Sequence, residues 1–86
     1  MKANHEKIKR QLAIAKGQIE GINKMVDEDK YCIDISNQIL STISLLRNVN
    51  KEILTSHLSH CVASSKNKEE LDRKIAEINN ILDRTI

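Results

Sequence analysis

The sequence predicts an all-α fold of three helices, and three observations predict it. The 86 residues contain no proline and only two glycines, Gly17 and Gly21, so tight turns are few. Aromatic content is 1%, the single Tyr31, which leaves Ile, Leu, Val, Met and Ala to build the core. That composition packs helix on helix better than it fills a β-sandwich or barrel. Apolar residues recur at steps of three and four through three segments, the repeat that lines one helix face.

The first segment runs from about Asn4 to Glu28. Ile8, Leu12, Ala15, Ile19, Ile22 and Val26 form its apolar stripe, and Asn4 is suited to cap its start. Gly17 and Gly21 sit four apart inside it and weaken the helix, so close approach of another helix is expected there. The polar run Asp27, Glu28, Asp29, Lys30 ends the segment.

The second segment runs from Tyr31 or Cys32 to Ser64. Ile35, Ile39, Ile43, Leu46, Ile53, His57 and Cys61 lie close to one stripe, interrupted by Asn50. Ile33, Leu40, Leu45, Val49, Leu54 and Leu58 widen the apolar surface. A helix of about 30 residues is more than twice the globular mean and needs a partner along its length. The third segment runs from about Asn67 to Arg84. Asn67 with Glu70 three residues on has the pattern of a capping box, and Leu71, Ile75, Ile78 and Leu82 form the stripe.

Residues 1–86 read as one small domain. A lone core of this size is marginal, so association of copies is an expected source of stability. The net charge of +2, from 14 basic and 12 acidic residues, does not by itself demand nucleic acid. The first 16 residues are more basic, with Lys2, Lys7, Lys9, Arg10 and Lys16 against Glu6 alone, and such an arm can track phosphates as readily as it can simply face water. No segment has the length and apolarity to span a membrane, and none reads as a targeting signal, so a cytoplasmic protein without a membrane partner is expected. No nucleophile–base set, phosphate-binding glycine loop or carboxylate pair is present, which predicts neither an enzyme nor a small-molecule substrate.

Chemistry concentrates on two thiols and one imidazole. His57 and Cys61 are four apart, hence on one helix face, and can grip a single ion together. Cys32 opens the second helix, where the helix dipole favours anionic groups. It precedes His57 by 25 residues, a helical span of roughly 37 Å, so it cannot reach the same ion within its own helix. A second, antiparallel copy crossing near Leu46 would bring one protomer's Cys32 beside the His57 and Cys61 of its partner, twice per dimer. Two thiolates and an imidazole form a soft, low-coordinate set that fits Cu(I). Zn(II) would want a fourth ligand. His60 is the nearest candidate, but it points about 100° away from Cys61 on the helix and is expected to face solvent. His5 reads as a plain polar residue of the basic arm.

At these residues the chain resembles the copper-sensitive operon repressor (CsoR) family. The likeness covers about residues 7–84 and rests on Gly17-Gln18-Ile19 with Gly21, on the Met25–Cys32 stretch (MVDEDKYC), on Gln38-Ile39 and on the His57–Val62 stretch (HLSHCV). The Cys…His-x-x-x-Cys set is its specific part. The resemblance implies a small all-helical chain that pairs into an antiparallel four-helix-bundle homodimer and then into a dimer of dimers, a flat homotetramer. It implies Cu(I) held by Cys32 of one protomer and His57 with Cys61 of the other. It further implies that Tyr31 and Glu77 support the metal-bound imidazole, Glu77 through a hydrogen bond to His57. Operator DNA is the implied partner, with Lys9, Arg10, Lys16 and Arg47 as the cations available to meet it.

The chain departs from the family pattern on the DNA side. Where DNA-binding members carry arginines ahead of the Gly-Gln pair, this chain has Gln11, Ala13 and Ile14, and Ile43 replaces another arginine of the second helix. The expected function is a Cu(I)-responsive transcriptional repressor that releases its operator when Cu(I) binds between protomers. One alternative is a Cu(I) buffer or carrier that has lost DNA binding. Another is a persulfide sensor using an inter-chain Cys32–Cys61 link. Ni(II) or Zn(II) sensing is a further variant, though its last ligand position is usually not Cys.

Overall fold

A computed structural model describes residues 1–64 and 66–85, apart from the Thr85 side chain. Three helices follow in order: α1 (His5–Asp27), α2 (Cys32–Ser64) and α3 (Lys68–Thr85). The all-α expectation holds, and each predicted segment ends within a residue or two of its helix.

Local chemistry sets those ends. The Lys7 backbone N–H donates to Asn4 Oδ1 at 3.1 Å, satisfying one of the free amides at the start of α1. Asn67 does the same for α3, with Glu70 N–H donating to its Oδ1 at 2.8 Å. The carboxylate of Glu70 completes the first turn differently from a reciprocal box. It pairs with Lys74 at 3.2 Å and accepts from the backbone of Lys66. The Lys74 hydrogen bond, helped by Lys66, holds Glu70 below its ordinary value of 4.5. A carboxylate so depressed contributes stability that is present at neutral pH and lost as pH falls through its lowered value. Wild type is therefore expected to lose more α3 helicity below pH 4 than Glu70→Gln does, as read by circular dichroism.

Between α1 and α2 the chain reverses through a left-handed residue. Asp29 has φ 54°, with its N–H on the carbonyl of Val26 at 3.0 Å and the Lys30 N–H on that of Met25 at 2.9 Å. This is the Schellman arrangement, which usually recruits glycine. Asp tolerates it better than most residues do. Asp29→Val is expected to lower stability by roughly 1–2 kcal/mol while Asp29→Gly does not, a difference that thermal melts resolve.

The chain divides into two compact units, Asn4–Val49 and Asn50–Ile86 with Met1–Ala3, and α2 contributes to both. In the first unit α1 packs on the first half of α2. Ile8, Ala15, Thr42 and Val49 are buried, and Gln11, Gln18, Ile22, Met25, Ile35 and Leu45 are half-buried. The contact line on α1 therefore runs 8, 11, 15, 18, 22, 25, one shoulder away from the predicted stripe. Leu12, Ile19 and Val26 are left 44%, 53% and 56% exposed. On α2, Ile33, Ile39, Leu40, Ile43 and Leu46 are exposed as well. In the second unit Cys61 and Ile78 are buried, with Ile53, Leu54, Leu58, Leu71 and Ile75 half-buried. The close approach expected at Gly17 and Gly21 does not occur among the described residues, since a Cβ at either would meet nothing within 4 Å. No helix among the described residues is long and apolar enough to cross a membrane.

Candidate metal centre

His57 and Cys61 face each other across one turn of α2, with Cys61 Sγ 3.4 Å from His57 Nε2. The continuous helix through residues 57–61 produces this contact, because the i,i+4 step stacks the two side chains. Cys61 is 1% exposed, deeper than Ile8 or Val49, while His57 is half-buried. Burial alone would suit a small hydrophobe. The imidazole nitrogen at its sulfur makes the thiol one half of a polar pair instead. The separation also suits two donors on one ion, because metal–nitrogen and metal–sulfur bonds of roughly 2.0–2.3 Å allow up to about 4 Å between them.

The third predicted ligand belongs to the other compact unit. Cys32 is a free, exposed cysteine at the first residue of α2, in the other compact unit. Among the described residues no three His, Cys, Asp or Glu side chains come together as a metal cluster. The chain thus carries a thiol–imidazole pair on α2 and an exposed thiol at the first residue of that helix.

The supporting residues are less engaged. Tyr31 precedes α2, where its carbonyl accepts the Ile35 N–H at 3.1 Å, and its side chain is 67% exposed, which excludes it from the core of the single chain. Glu77 is exposed on α3, and among the described residues the side-chain contact of His57 is with Cys61 and not with Glu77. His60 and His5 are exposed, as expected. The predicted cations Lys9, Arg10 and Lys16 on α1 and Arg47 on α2 are all exposed and belong to one unit. Lys9 and Lys16, seven residues apart, share a face, whereas Arg10 lies about 100° from Lys9. Of the positions where arginine was expected, Gln11 turns inward and buries its Oε1, while Ile14 and Ile43 are exposed apolar residues. The side chains that sequence reasoning missed are Gln18 and Thr42, which meet in the α1–α2 seam.

The chain is thus all-helical, with a thiol–imidazole pair on its longest helix and exposed cations on α1 and α2. A family model described as a metal-sensitive transcriptional repressor matches residues 4–84, and the chain belongs to that family, whose members are repressors and not enzymes. It is 40% identical over 79 residues to the copper-sensing transcriptional repressor RicR of Mycobacterium tuberculosis, covering 90% of this chain and 82% of that one. It is 34% identical over 73 residues to the copper-sensing transcriptional repressor CsoR of Bacillus subtilis, covering 85% and 72%. Among solved structures, the copper-sensing repressor CsoR with Cu(I) from Geobacillus thermodenitrificans superposes with a TM-score of 0.78 at 33% identity, over 92% of this chain and 82% of that one. The nickel-responsive transcriptional regulator InrS shares the fold, with a TM-score of 0.80 at 24% identity over 100% of this chain and 97% of that one.

Proposed function

We propose that this protein is a Cu(I)-responsive transcriptional repressor whose ligand set is completed across a dimer seam. The observation that carries the reading is the 3.4 Å contact between His57 and Cys61, beside a free, exposed thiol at Cys32 in the chain's other compact unit. His57 and Cys61 of one protomer and Cys32 of its partner would hold the ion. Cu(I) suits the softness and number of these donors, and it is the ion in the name of the matching solved relative. The exposed apolar band of Leu12, Ile19, Val26, Ile39, Ile43 and Leu46 supports a second copy as its cover, since a chain of this size leaves so much apolar surface open only at some cost. Pairing of such dimers into a tetramer is the natural extension of the family likeness. The DNA-binding state would present Lys9, Arg10, Lys16 and Arg47 to operator phosphates. Linking two protomers through one ion favours whichever arrangement brings Cys32 to the partner's pair. Repression is relieved if that arrangement has the lower DNA affinity. A transcriptional repressor works where the DNA is, which supports a cytoplasmic setting.

The test is a mobility shift on promoter DNA from the protein's own locus. The metal-free protein should retard it, and one Cu(I) per protomer should abolish the shift. Metal-free protein with no preference for operator over random DNA at moderate salt rules the reading out. One observation favours a second reading, a Cu(I)-binding relative without DNA binding: Gln11, Ala13, Ile14 and Ile43 stand where arginines were expected. Tight Cu(I) binding with no operator preference is its signature.

A further inference from the structure

Thr42 is 5% exposed, in a seam whose other buried side chains among the described residues are Ile8, Ala15 and Val49. Its hydroxyl lies 2.8 Å from Gln18 Oε1 on α1 and 3.2 Å from the Gln38 carbonyl on its own helix. A hydroxyl carries one proton, so it serves one acceptor fully at a time. The Gln38 carbonyl already accepts the helical N–H of Thr42 and needs no second donor. Back-bonding of this kind is a readily available fallback inside a helix. The shorter contact is the one that crosses to α1.

Apolar contacts are not directional, so the rest of the seam defines the register of α1 on α2 less sharply than a hydrogen bond does. Two turns before Gln18 on the same face of α1, Gln11 Oε1 is buried without a hydrogen bond and fixes nothing. The part-buried Gln18–Thr42 bond, in contrast, is met in one register only: slippage breaks it, leaves the Thr42 hydroxyl its fallback on Gln38 and takes from Gln18 Oε1 its donor in the seam. Gln18 follows Lys16 by two residues, and Thr42 precedes Arg47 by five. A slip of one helical turn would move the α1 cations by about 5 Å relative to Arg47. We infer that Gln18 and Thr42 are positioning residues for DNA binding: their hydrogen bond pins α1 on α2 and so sets the spacing of Lys9, Arg10 and Lys16 against Arg47. The inference rests on the repressor reading for its DNA half and on the hydrogen bond alone for the pin.

Thr42→Val keeps the shape and removes the hydroxyl, whereas Thr42→Ser keeps the hydroxyl. In T42V, amide exchange in α1 is expected to speed up about tenfold relative to α3, the loss of one buried hydrogen bond. Operator affinity should fall by a similar factor, and the slope of log affinity against log salt should shrink as fewer phosphates are met at once. T42S should retain all three properties. A purely structural role would lower the melting temperature and leave the salt slope of the folded protein unchanged. If T42V does not fold, Gln18→Met removes the acceptor instead and is read the same way. T42V with wild-type α1 exchange overturns the pin, whatever the wild type does with DNA. Faster exchange with wild-type operator affinity and salt slope overturns the positioning role. A wild type without operator preference overturns the repressor reading and the DNA half together, and the exchange result then decides the pin alone.

Discussion

Cys61→Ser is expected to bind Cu(I) more than 100-fold more weakly than the wild type and to stay on operator DNA when Cu(I) is added. The scale follows from coordination chemistry: losing a mere outer partner of a metal ligand costs roughly 10–100-fold, and a ligand itself must cost more. Serine offers a hard hydroxyl that remains protonated at neutral pH, in place of a soft donor. Fold loss is a weak alternative explanation, because the hydroxyl is smaller than the thiol and has His57 Nε2 beside it as a hydrogen-bond partner. Competition against a chromophoric Cu(I) chelator gives the affinity, and a mobility shift gives the response. A C61S variant that holds one Cu(I) per protomer at wild-type affinity would place the ion elsewhere.

Leu46→Lys is the second large effect. Leu46 is 39% exposed in the single chain, so a lysine there costs an isolated protomer little. With two copies crossing at Leu46, as the proposed dimer requires, the same substitution would set two ammonium groups against each other and remove both from water. Uncompensated buried charge costs about 3–5 kcal/mol, enough to separate a micromolar dimer. Sedimentation equilibrium should show wild type as a dimer or larger and L46K shifted to the protomer mass, with Cu(I) binding lost alongside. An L46K protein of wild-type mass would mean that this face does not mediate association.

The two predictions draw on features that were unequally legible in the sequence. His57 and Cys61 could be paired in advance because an i,i+4 step inside an unbroken helix leaves little freedom. The caps at Asn4 and Asn67 were legible for the same reason, since each acts over three residues. The turn at Asp29 was not, because a left-handed position is signalled by glycine and here an aspartate fills it. The inner face of α1 was half right. Periodicity located an apolar arc, but α2 packs on its shoulder, where Gln11 and Gln18 lie, and leaves Leu12, Ile19 and Val26 open. Polar residues on a buried line carry no periodic signal, and the Gln18–Thr42 bond joins positions 24 apart. No local pattern could have revealed it. Gly17 and Gly21 suggest a close helix contact, but among the described residues nothing lies within 4 Å of a Cβ at either.

Mixing two inactive variants tests the shared site most directly. Cys32→Ala and Cys61→Ala should each fail to bind Cu(I) tightly alone, because every site in either homodimer lacks one thiol. Refolded together at equal amounts, they should recover about a quarter of the wild-type Cu(I) capacity, since about half the dimers are mixed and each mixed dimer rebuilds one site of two. No recovery on mixing, or a Cys32→Ala protein that binds Cu(I) as well as wild type, would contradict a site built from two protomers.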